Sequence, residues 1–556
     1  ILDLRNNPGG RLDQAVQISN LFLEQGPIVT IRGRRKDQQK MYEAYPSEIP
    51  RDYPVIILIN GGSASASEIV AGALQDHDRA VILGTPSFGK GSVQTVVQLD
   101  DLSGIKYTIA RYYTPNGRSI QDSGIRGRGG GGFPSGTKWS LVAAQESDQK
   151  YVICNGDEGD PGAFMDRMLL ESYPYRIIEG LVAAAYAVGA SEGILYIRAE
   201  YPLAVSRILE ALDICRERGY LGKNILGSGF DFDLSVYQGA GAFVCGEETA
   251  LMESIEGKRG FPRIRPPFPA VKGLWGRPTL INNAETFAQI SYIFKNGAKA
   301  FNRVGTESSR GTKVFALAGK VARGGLIEVP MGMTIREVVE EIGGGVAGGR
   351  KFKAVQIGGP SGGCVPEWKS DTPIDFESLK EVGAMMGSGG LVVLDDTDCM
   401  VDIALYFLTF TQSESCGKCS FGRIGTKRML EILEKITDGK GTEQDLENLE
   451  SLGEWTRKGS LCALCGTAPN PVLSTLRYFR EEYEAHIQGK CPAGKCTELI
   501  RYEITDDCIG CTLCAQDCPV DAIAFKPHEK HEVDNELCIK CDGCRQVCPE
   551  NAVITI

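Results

Sequence analysis

Fifteen of the chain's nineteen cysteines lie from Cys399 onward, and none precedes Cys154. Many are spaced C-x-x-C, which suits metal ligation in a reducing compartment better than a secreted disulfide framework. Two runs repeat near the end: Cys508-x-x-Cys511-x-x-Cys514-x-x-x-Cys518-Pro519 and Cys538-x-x-Cys541-x-x-Cys544-x-x-x-Cys548-Pro549. Thiolates in such runs hold iron–sulfur clusters, whose chemistry is the transfer of single electrons. Cys416 and Cys419, with Cys462 and Cys465, make a third set, C-x-x-C…C-x-x-C, that suits structural zinc as well as [4Fe–4S]. Cys491 and Cys496 leave a further metal open but read better as spare thiols. Cys154 and Cys245 read as small apolar packing residues.

A second chemistry-bearing stretch is Gly127-Arg128-Gly129-Gly130-Gly131-Gly132-Phe133-Pro134-Ser135-Gly136-Thr137-Lys138. Glycines let main-chain amides ring phosphate oxygens, and Arg128 and Lys138 add positive charge. The stretch satisfies G-x-G-x-x-G, but with no strand before it and no clear helix after it a dinucleotide fingerprint is a weak reading. NGDEGDPG at Asn155 to Gly162, GAGAFVCGEE at Gly239 to Glu248 and TLINNAE at Thr279 to Glu285 follow in order. Their Asp, Glu and Asn side chains are acceptors suited to hydroxyls and ring N–H groups. Nearer the start, the strand-like Val55 to Ile59 runs into NGGSASASE and a helical pattern through Leu74. Ser65 then sits at a helix N-terminus, where an anion or nucleophile is favoured. Lys90, followed by Gln94, is a candidate general base, and His77 reads as a solvated helix-end residue.

At 556 residues the chain holds several domains, and a net charge of −11 argues against nucleic acid or anionic membrane as partner. Its apolar runs fall far short of the ~20 residues a spanning helix needs. No signal peptide opens it, and the start at Ile1-Leu2-Asp3-Leu4 falls mid-pattern, as though an upstream part were missing.

From about Ser123 to Ile487 the ordered motifs resemble the FMN- and NADH-binding subunit of respiratory complex I. The likeness is greatest to its homologue in cytosolic NAD(P)-dependent, bifurcating hydrogenases, which carry a ferredoxin tail. The resemblance implies FMN contacts at Gly127, Arg128, Gly129, Gly130, Lys138, Asn155, Asp157, Glu158, Phe243, Gly246, Glu247, Asn282 and Asn283. It places Phe133 and Phe268 against nicotinamide or adenine and Asp160 and Glu248 on ribose hydroxyls, with Arg265 where lysine is common. Carboxylates there suit NAD(H), while Arg263 and Arg265 leave NADP open. The surrounding ESCGKC and TAPNPVLSTLRYFREEYEAHI favour [4Fe–4S] over zinc at Cys416, Cys419 and Cys462. The family's third cysteine is Gly422 here, and Cys465 stands where glycine is usual and could replace it. The tail resembles two-cluster bacterial ferredoxins, in which the fourth cysteine of each run serves the other cluster. One set is therefore Cys508, Cys511, Cys514 and Cys548, the other Cys538, Cys541, Cys544 and Cys518.

Residues 1–122 resemble a truncated C-terminal processing peptidase through LDLRNNPGG, NGGSASASE and GTPSFGKGSVQT. That likeness puts a nucleophile on Ser65, a base on Lys90, a supporting amide on Gln94 and an oxyanion hole near Gly10 and the Ala66 amide. The family's upstream core and peptide-binding domain are missing, so the segment reads as inert. The switch near Asp122 comes without linker composition, as in a chance gene fusion or a joining error.

The expected architecture is multidomain α/β and α+β. It comprises a peptidase fragment at 1–122, an α/β flavin and nicotinamide domain at 123–310, a β-grasp scaffold at 311–400, a helical bundle with [4Fe–4S] at 401–488 and a ferredoxin-like tail at 489–556. The expected activity is cytoplasmic NAD(P)H:acceptor oxidoreduction through FMN and three [4Fe–4S] clusters. Expected partners are a thioredoxin-like [2Fe–2S] subunit, a hydrogenase or other redox catalytic subunit, and ferredoxin. The alternatives are a serine-type endopeptidase and an iron–sulfur carrier that has lost its flavin.

Overall fold

The computed structural model describes residues 1–33, 39–46, 53–84, 87, 92–98, 104–113 and 124–556, with the side chains of 32–33, 92–98 and 104–113 outside that description. The junction near Asp122 and the candidate base Lys90 lie outside the described residues. Two compact units are present: Ile1–Gly127, Gly132–Glu146 and Tyr292–Thr312 form one, and Arg128–Gly131, Ser147–Ser291 and Lys313–Ile556 the other.

In the first unit the apolar run Val55–Ile59 is the central strand of a parallel sheet, between Leu2–Asp3 and Ala80–Gly84. Gly84 has φ +133°, and a Cβ there would lie 1.9 Å from the Ile59 carbonyl oxygen, so only glycine fits. Helices Leu12–Asn20 and Ala66–Asp76 bury Ala15, Ile69 and Leu74 in one core with Ile28 and Val29. Those last two belong to an antiparallel sheet ordered Lys40–Ala44, Gly26–Gly33, Gly104–Tyr113, Ser92–Gln98. His77 corrects its reading as a solvated residue: it ends the second helix, and its Nε2 lies 2.7 Å from the Pro27 carbonyl oxygen. A helix, Ser135–Ala143, also follows the glycine stretch, where none was clear from the pattern. Its apolar and small residues are spread around the helix rather than gathered on one face, which is what hid it.

The second unit opens with four parallel strands, Tyr151–Gly156, Glu192–Arg198, Asp233–Gly239 and Thr279–Asn283. Helices such as Pro174–Val188 and Pro202–Glu217 cover the sheet, and the strands accordingly read as near-continuous apolar runs. Across the sheet the order is third, second, first, fourth. Connections leave the first strand in opposite directions, and such a reversal opens a crevice outside the C-terminal strand ends. Asn155, Gly156, Asn282 and Asn283 sit at those ends.

A five-stranded sheet follows, ordered Gly325–Pro330, Thr312–Gly319, Gly390–Asp395, Phe352–Ile357, Gly363–Pro366. Thr312–Gly319 pairs parallel with Gly390–Asp395, while Phe352–Ile357 pairs antiparallel with both Gly390–Asp395 and Gly363–Pro366. One helix crosses it from Ile335, capped by the reciprocal Thr334–Glu337 box and ending in a π-turn at Val338–Ile342. Helices Met400–Ser413, Thr426–Thr437, Glu443–Gly459, Asn470–Tyr478 and Arg480–Ile487 then pack around Leu408, Met429, Leu433, Leu449, Val472 and Tyr483. In the tail, strands Tyr502–Ile504 and Val553–Thr555 pair, and the two cysteine runs build matching short helices, Leu513–Gln516 and Gly543–Gln546. Each is preceded by a left-handed residue, Thr512 at φ 67° and Asp542 at φ 68°, as an internal duplication predicts.

Helix Pro174–Val188 packs through Gly180, where a Cβ would lie 2.2 Å from the Phe287 carbonyl oxygen. Gly180→Ala should therefore push two helices apart and cost about 1–3 kcal/mol, measured as a lowered thermal midpoint.

Candidate functional site

The glycine stretch turns sharply, with Gly130 at φ +109° and Gly132 at φ +61°. In the second unit a Cβ on Gly129 would lie 3.1 Å from Asn283 Cβ, and one on Gly130 3.0 Å from the Gly387 main chain. The glycines thus bring the loop's main chain against the end of the fourth strand. Arg128 is wholly buried, and its main-chain N–H donates to Thr286 Oγ1 at 2.9 Å. Gly127, Phe133 and Lys138 belong to the first unit, where Gly127 N–H donates to the Phe133 carbonyl at 2.9 Å.

At the crevice two asparagines are spent on shape. Asn155 Nδ2 donates to the Gly246 carbonyl at 2.8 Å, and its Oδ1 accepts from Asp157 N–H at 3.1 Å. Asn283 Nδ2 donates to Asp166 Oδ2 at 2.6 Å while its Oδ1 accepts from Glu285 N–H at 2.9 Å. Asp157 and Asn282 differ: both carboxylate oxygens of the first and Oδ1 of the second are buried without a hydrogen-bond partner. Burial pushes the Asp157 pKa up to about 7, against the opposing pull of Arg198. Buried acceptors left this way cost stability, and a ligand presenting N–H or O–H donors would satisfy them.

Other predicted contacts hold the protein to itself. Glu158, expected at the flavin, instead caps helix Met165–Ser172, its carboxylate accepting from Asp166 N–H and Arg167 N–H, both at 3.0 Å. Asp160, expected on a ribose, is buried and accepts from Ser388 Oγ at 2.5 Å, and burial raises its pKa to about 6. Glu247 caps helix Glu248–Ile255 through Thr249 and Ala250 N–H, both at 2.9 Å. Glu248 pairs with Arg265 at 2.7 Å. Arg263, offered as a phosphate ligand, is committed to Glu253 at 2.5 Å and Glu256 at 2.7 Å. Phe268 is exposed, and the Phe243 ring packs over Gly159, which has no Cβ to obstruct it.

The sequence reading missed a buried charge cluster. Lys313 Nζ pairs with Glu285 and also donates to the carbonyls of Val314 at 2.9 Å and Ser388 at 2.6 Å. Glu285 neighbours Asp166, whose pKa is driven well up by burial, then by Glu158 and Glu285. Only its place in the TLINNAE motif marked Glu285, and nothing marked Lys313.

Cys462 and Cys465 are buried and share one apolar cluster with Tyr151, Ile153, Val244, Cys245 and Leu251, against which Cys416 packs. Three of the four cysteines, Cys416, Cys462 and Cys465, are therefore contiguous with the wall of the crevice. Glu414 Oε2 accepts from Phe243 N–H at 2.9 Å, and Lys418 Nζ donates to the Pro262 carbonyl at 2.7 Å, tying the cysteine loop to the crevice loops. In the tail, one small cavity is lined by Cys508, Cys511, Cys514 and Cys548. A second is lined by Cys518, Cys538, Cys541 and Cys544. The structure brings these together in the two expected sets.

Cys491 and Cys496, read as spare thiols with a further metal left open, lie in one group with Cys399 and His486. With Cys399 and His486 they place four donor atoms within 4.8 Å of one another. Cys399 Sγ lies 3.8 Å from Cys496 Sγ, and His486 Nε2 3.3 Å and 3.2 Å from those two sulfurs. Tetrahedral bonds of about 2.3 Å to sulfur put ligand sulfurs ~3.8 Å apart, so this set could hold one zinc-like ion. His486 Nδ1 is 2.6 Å from the Glu482 carbonyl, which holds the proton on Nδ1 and leaves Nε2 as the ligand. The signal was in the sequence as His486, Cys491 and Cys496 at five-residue steps; Cys399, far upstream, was not.

Comparison with known proteins finds separate family matches along the chain. Residues 120–292 match the Nuo51 FMN-binding domain, 314–365 an SLBB domain, 402–486 the NADH-ubiquinone oxidoreductase-F iron-sulfur binding region and 503–556 a 4Fe-4S dicluster domain. The HndC subunit of the NADP-reducing hydrogenase of Solidesulfovibrio fructosivorans is 55% identical over 414 residues, 74% of this chain and 84% of that subunit. The chain belongs to the family of NADH-quinone oxidoreductase F and hydrogenase HndC subunits. The F 2 subunit of the NADH-quinone oxidoreductase of Rhizobium meliloti is 46% identical over 383 residues, 68% of this chain and 91% of that relative. An NAD+-reducing [NiFe]-hydrogenase in the H2-reduced state is similar in structure at a TM-score of 0.60 and 39% identity. That match covers 66% of this chain and 61% of the hydrogenase chain.

Residues 1–127 match peptidase family S41, a family distinct from that of the rest of the chain. Ser65 stands at φ 55° before helix Ala66–Asp76, its N–H donating to Glu68 Oε2 at 2.7 Å. Gly9, rather than Gly10, closes on the Ala66 amide, a Cβ there falling 2.7 Å from its nitrogen. Gln94 lies on strand Ser92–Gln98 with its side chain outside the description, as Lys90 is altogether.

A folded-state pKa raised to about 7 makes Asp157 take up a proton on folding, so flavin-free protein should lose stability as pH rises from about 4 to about 7. Asp157→Asn should flatten that slope in thermal melts, by an amount on the order of 1.4 kcal/mol per pKa unit. Cys399→Ala should remove about one equivalent of zinc per chain and leave bound iron unchanged, read by elemental analysis.

Proposed function

We propose that this chain, as a member of its family, accepts a hydride from NADH over the C-terminal ends of the parallel sheet and delivers electrons singly toward its ferredoxin-like tail. The observation that carries the reading is the pair of unpartnered buried acceptors, Asp157 and Asn282, at a crevice whose wall is continuous with the buried cysteines. Bound FMN would supply the exchange between a two-electron hydride and one-electron carriers.

The chain's own residues do the rest. The main chain at Arg128–Gly131 would hold the phosphate, and Asp157 and Asn282 would accept from ring or ribityl donors. Asn155 and Asn283 keep Gly246 and the fourth strand end in place, and Glu247, capping its helix, lies beside them. Phe268 would meet the nicotinamide nucleotide. Glu248 suits a free 2′-hydroxyl, and with Arg263 committed elsewhere the balance favours NADH over NADPH. The two tail cavities and the helical-domain cysteines would each hold a [4Fe–4S] cluster. A thioredoxin-like [2Fe–2S] subunit, a hydrogenase-type catalytic subunit and ferredoxin are the partners proposed, in the cytoplasm. Among the described residues no helix is long and apolar enough to cross a membrane. The S41-like segment is proposed as a remnant without peptidase activity.

Anaerobically purified protein should release FMN on acid extraction, bleach on NADH and reduce an artificial acceptor. Glu248→Gln should lower kcat/KM for NADH by roughly tenfold to a hundredfold, the loss of a charged hydrogen bond, and raise the NADPH/NADH ratio. A parent without flavin would overturn the reading, and an unchanged ratio would remove Glu248 from it.

A further inference from the structure

We propose that the helical-domain cluster keeps four thiolates through a positional exchange: the sulfur that position 422 lacks is delivered to the same space by Cys465 from the opposite wall. The proposal rests on the reading that this domain holds a cluster. It assigns ligands that the family pattern, with its third cysteine at 422, does not.

Gly422 is buried in the π-turn Phe421–Gly425. A Cβ built on it would lie 2.7 Å from Cys465 Sγ, 3.1 Å from Cys465 Cβ and 3.0 Å from Cys419 Sγ. A side chain at 422 would have to displace the Cys465 thiol and crowd Cys419, so positions 422 and 465 compete for one volume. A side chain can enter it from either wall, but not from both. Glycine at 422 is thus the complement of cysteine at 465, and the two departures from the family pattern are one change.

The surroundings fit a sulfur ligand. Cys462 precedes helix Ala463–Thr467 and Cys465 lies three residues on, so both thiols share a face, and both are buried. Gly422 N–H donates to Cys419 Sγ at 3.3 Å. Ser415 Oγ lies between the two exchanged positions, 3.5 Å from Cys465 Sγ and 3.2 Å from the Gly422 carbonyl oxygen, and its one proton goes to the sulfur once that sulfur is a thiolate, the stronger acceptor. A hydroxyl near a ligating sulfur favours the more negative, reduced cluster and raises its potential.

The test uses full-length protein purified without oxygen: the parent, Cys465→Ala, Gly422→Cys, Ser415→Ala and the double variant Gly422→Cys with Cys465→Gly. Iron and sulfide content and the EPR spectrum of the reduced protein report the clusters, while extracted FMN and circular dichroism report flavin and fold separately. The parent should carry about twelve irons, and Cys465→Ala about eight with one reduced-cluster signal gone. The double variant should regain both, Gly422→Cys alone should gain nothing from its crowded extra thiol, and Ser415→Ala should keep its iron but titrate at lower potential. Cys465→Ala retaining about twelve irons and every signal would overturn the proposal. A double variant with parental FMN and circular dichroism that stayed at about eight irons would overturn it too. A parent with its irons but no FMN would count against the flavin reading alone.

Discussion

The ammonium of Lys313 is wholly buried and is the cation that the carboxylates of Glu285, Asp166 and Glu158 share. An unpaired buried carboxylate is costly, and removing one partner of such a pair typically costs about 3–5 kcal/mol. Each of these acids has a structural task. Glu158 caps helix Met165–Ser172, Asp166 holds the Asn283 amide, and Glu285 receives the main chain of Val314 as well as Lys313. Lys313 also binds the Ser388 carbonyl, and Ser388 in turn caps Asp160. One cation therefore couples the parallel sheet to the start of the mixed sheet and fixes the floor beside the glycine loop.

On that floor the site divides its polar groups by duty. Asn155, Asn283, Glu158 and Glu247 have spent their side chains on turns and helix caps, whereas Asp157 and Asn282 hold buried acceptors with no internal partner. Groups of the first kind set a shape; groups of the second kind await donors from outside the chain. The electron exit is built into the same body. Val244 and Cys245, in the turn that Asn155 fastens, pack in one apolar cluster with Cys462 and Cys465, and Glu414 and Lys418 bind crevice loops from the cysteine side. The cysteine loop and the crevice loops are thereby held together by packing and hydrogen bonds rather than by a flexible linker.

Much of this was legible in the residues. The paired cysteine runs of the tail resemble those of two-cluster ferredoxins, in which the fourth cysteine of each run serves the other cluster, and that resemblance implies two crossed ligand sets. The cavities lined by Cys548 in one case and Cys518 in the other follow that rule. The strand Val55–Ile59 was also readable, since it depends on neighbours a few residues away. His77 was misread for the same reason in reverse: its partner, the Pro27 carbonyl, is fifty residues upstream.

Local sequence by itself determined where the chain bears metal-binding thiolates, where its main chain could approach a phosphate, and which stretches form strands and caps, because spacing and side-chain type act over one or two turns. Tertiary structure alone decided which polar groups remain free for a ligand. Asp157 and Glu158 are adjacent acids of one motif, yet one is left without partners and the other is consumed by a helix end. It also gathered Cys399 with His486, Cys491 and Cys496, and placed Cys465 in the volume that Gly422 vacates. Those outcomes rest on which distant surfaces exclude one another from the same space, and no short-range pattern carries that information.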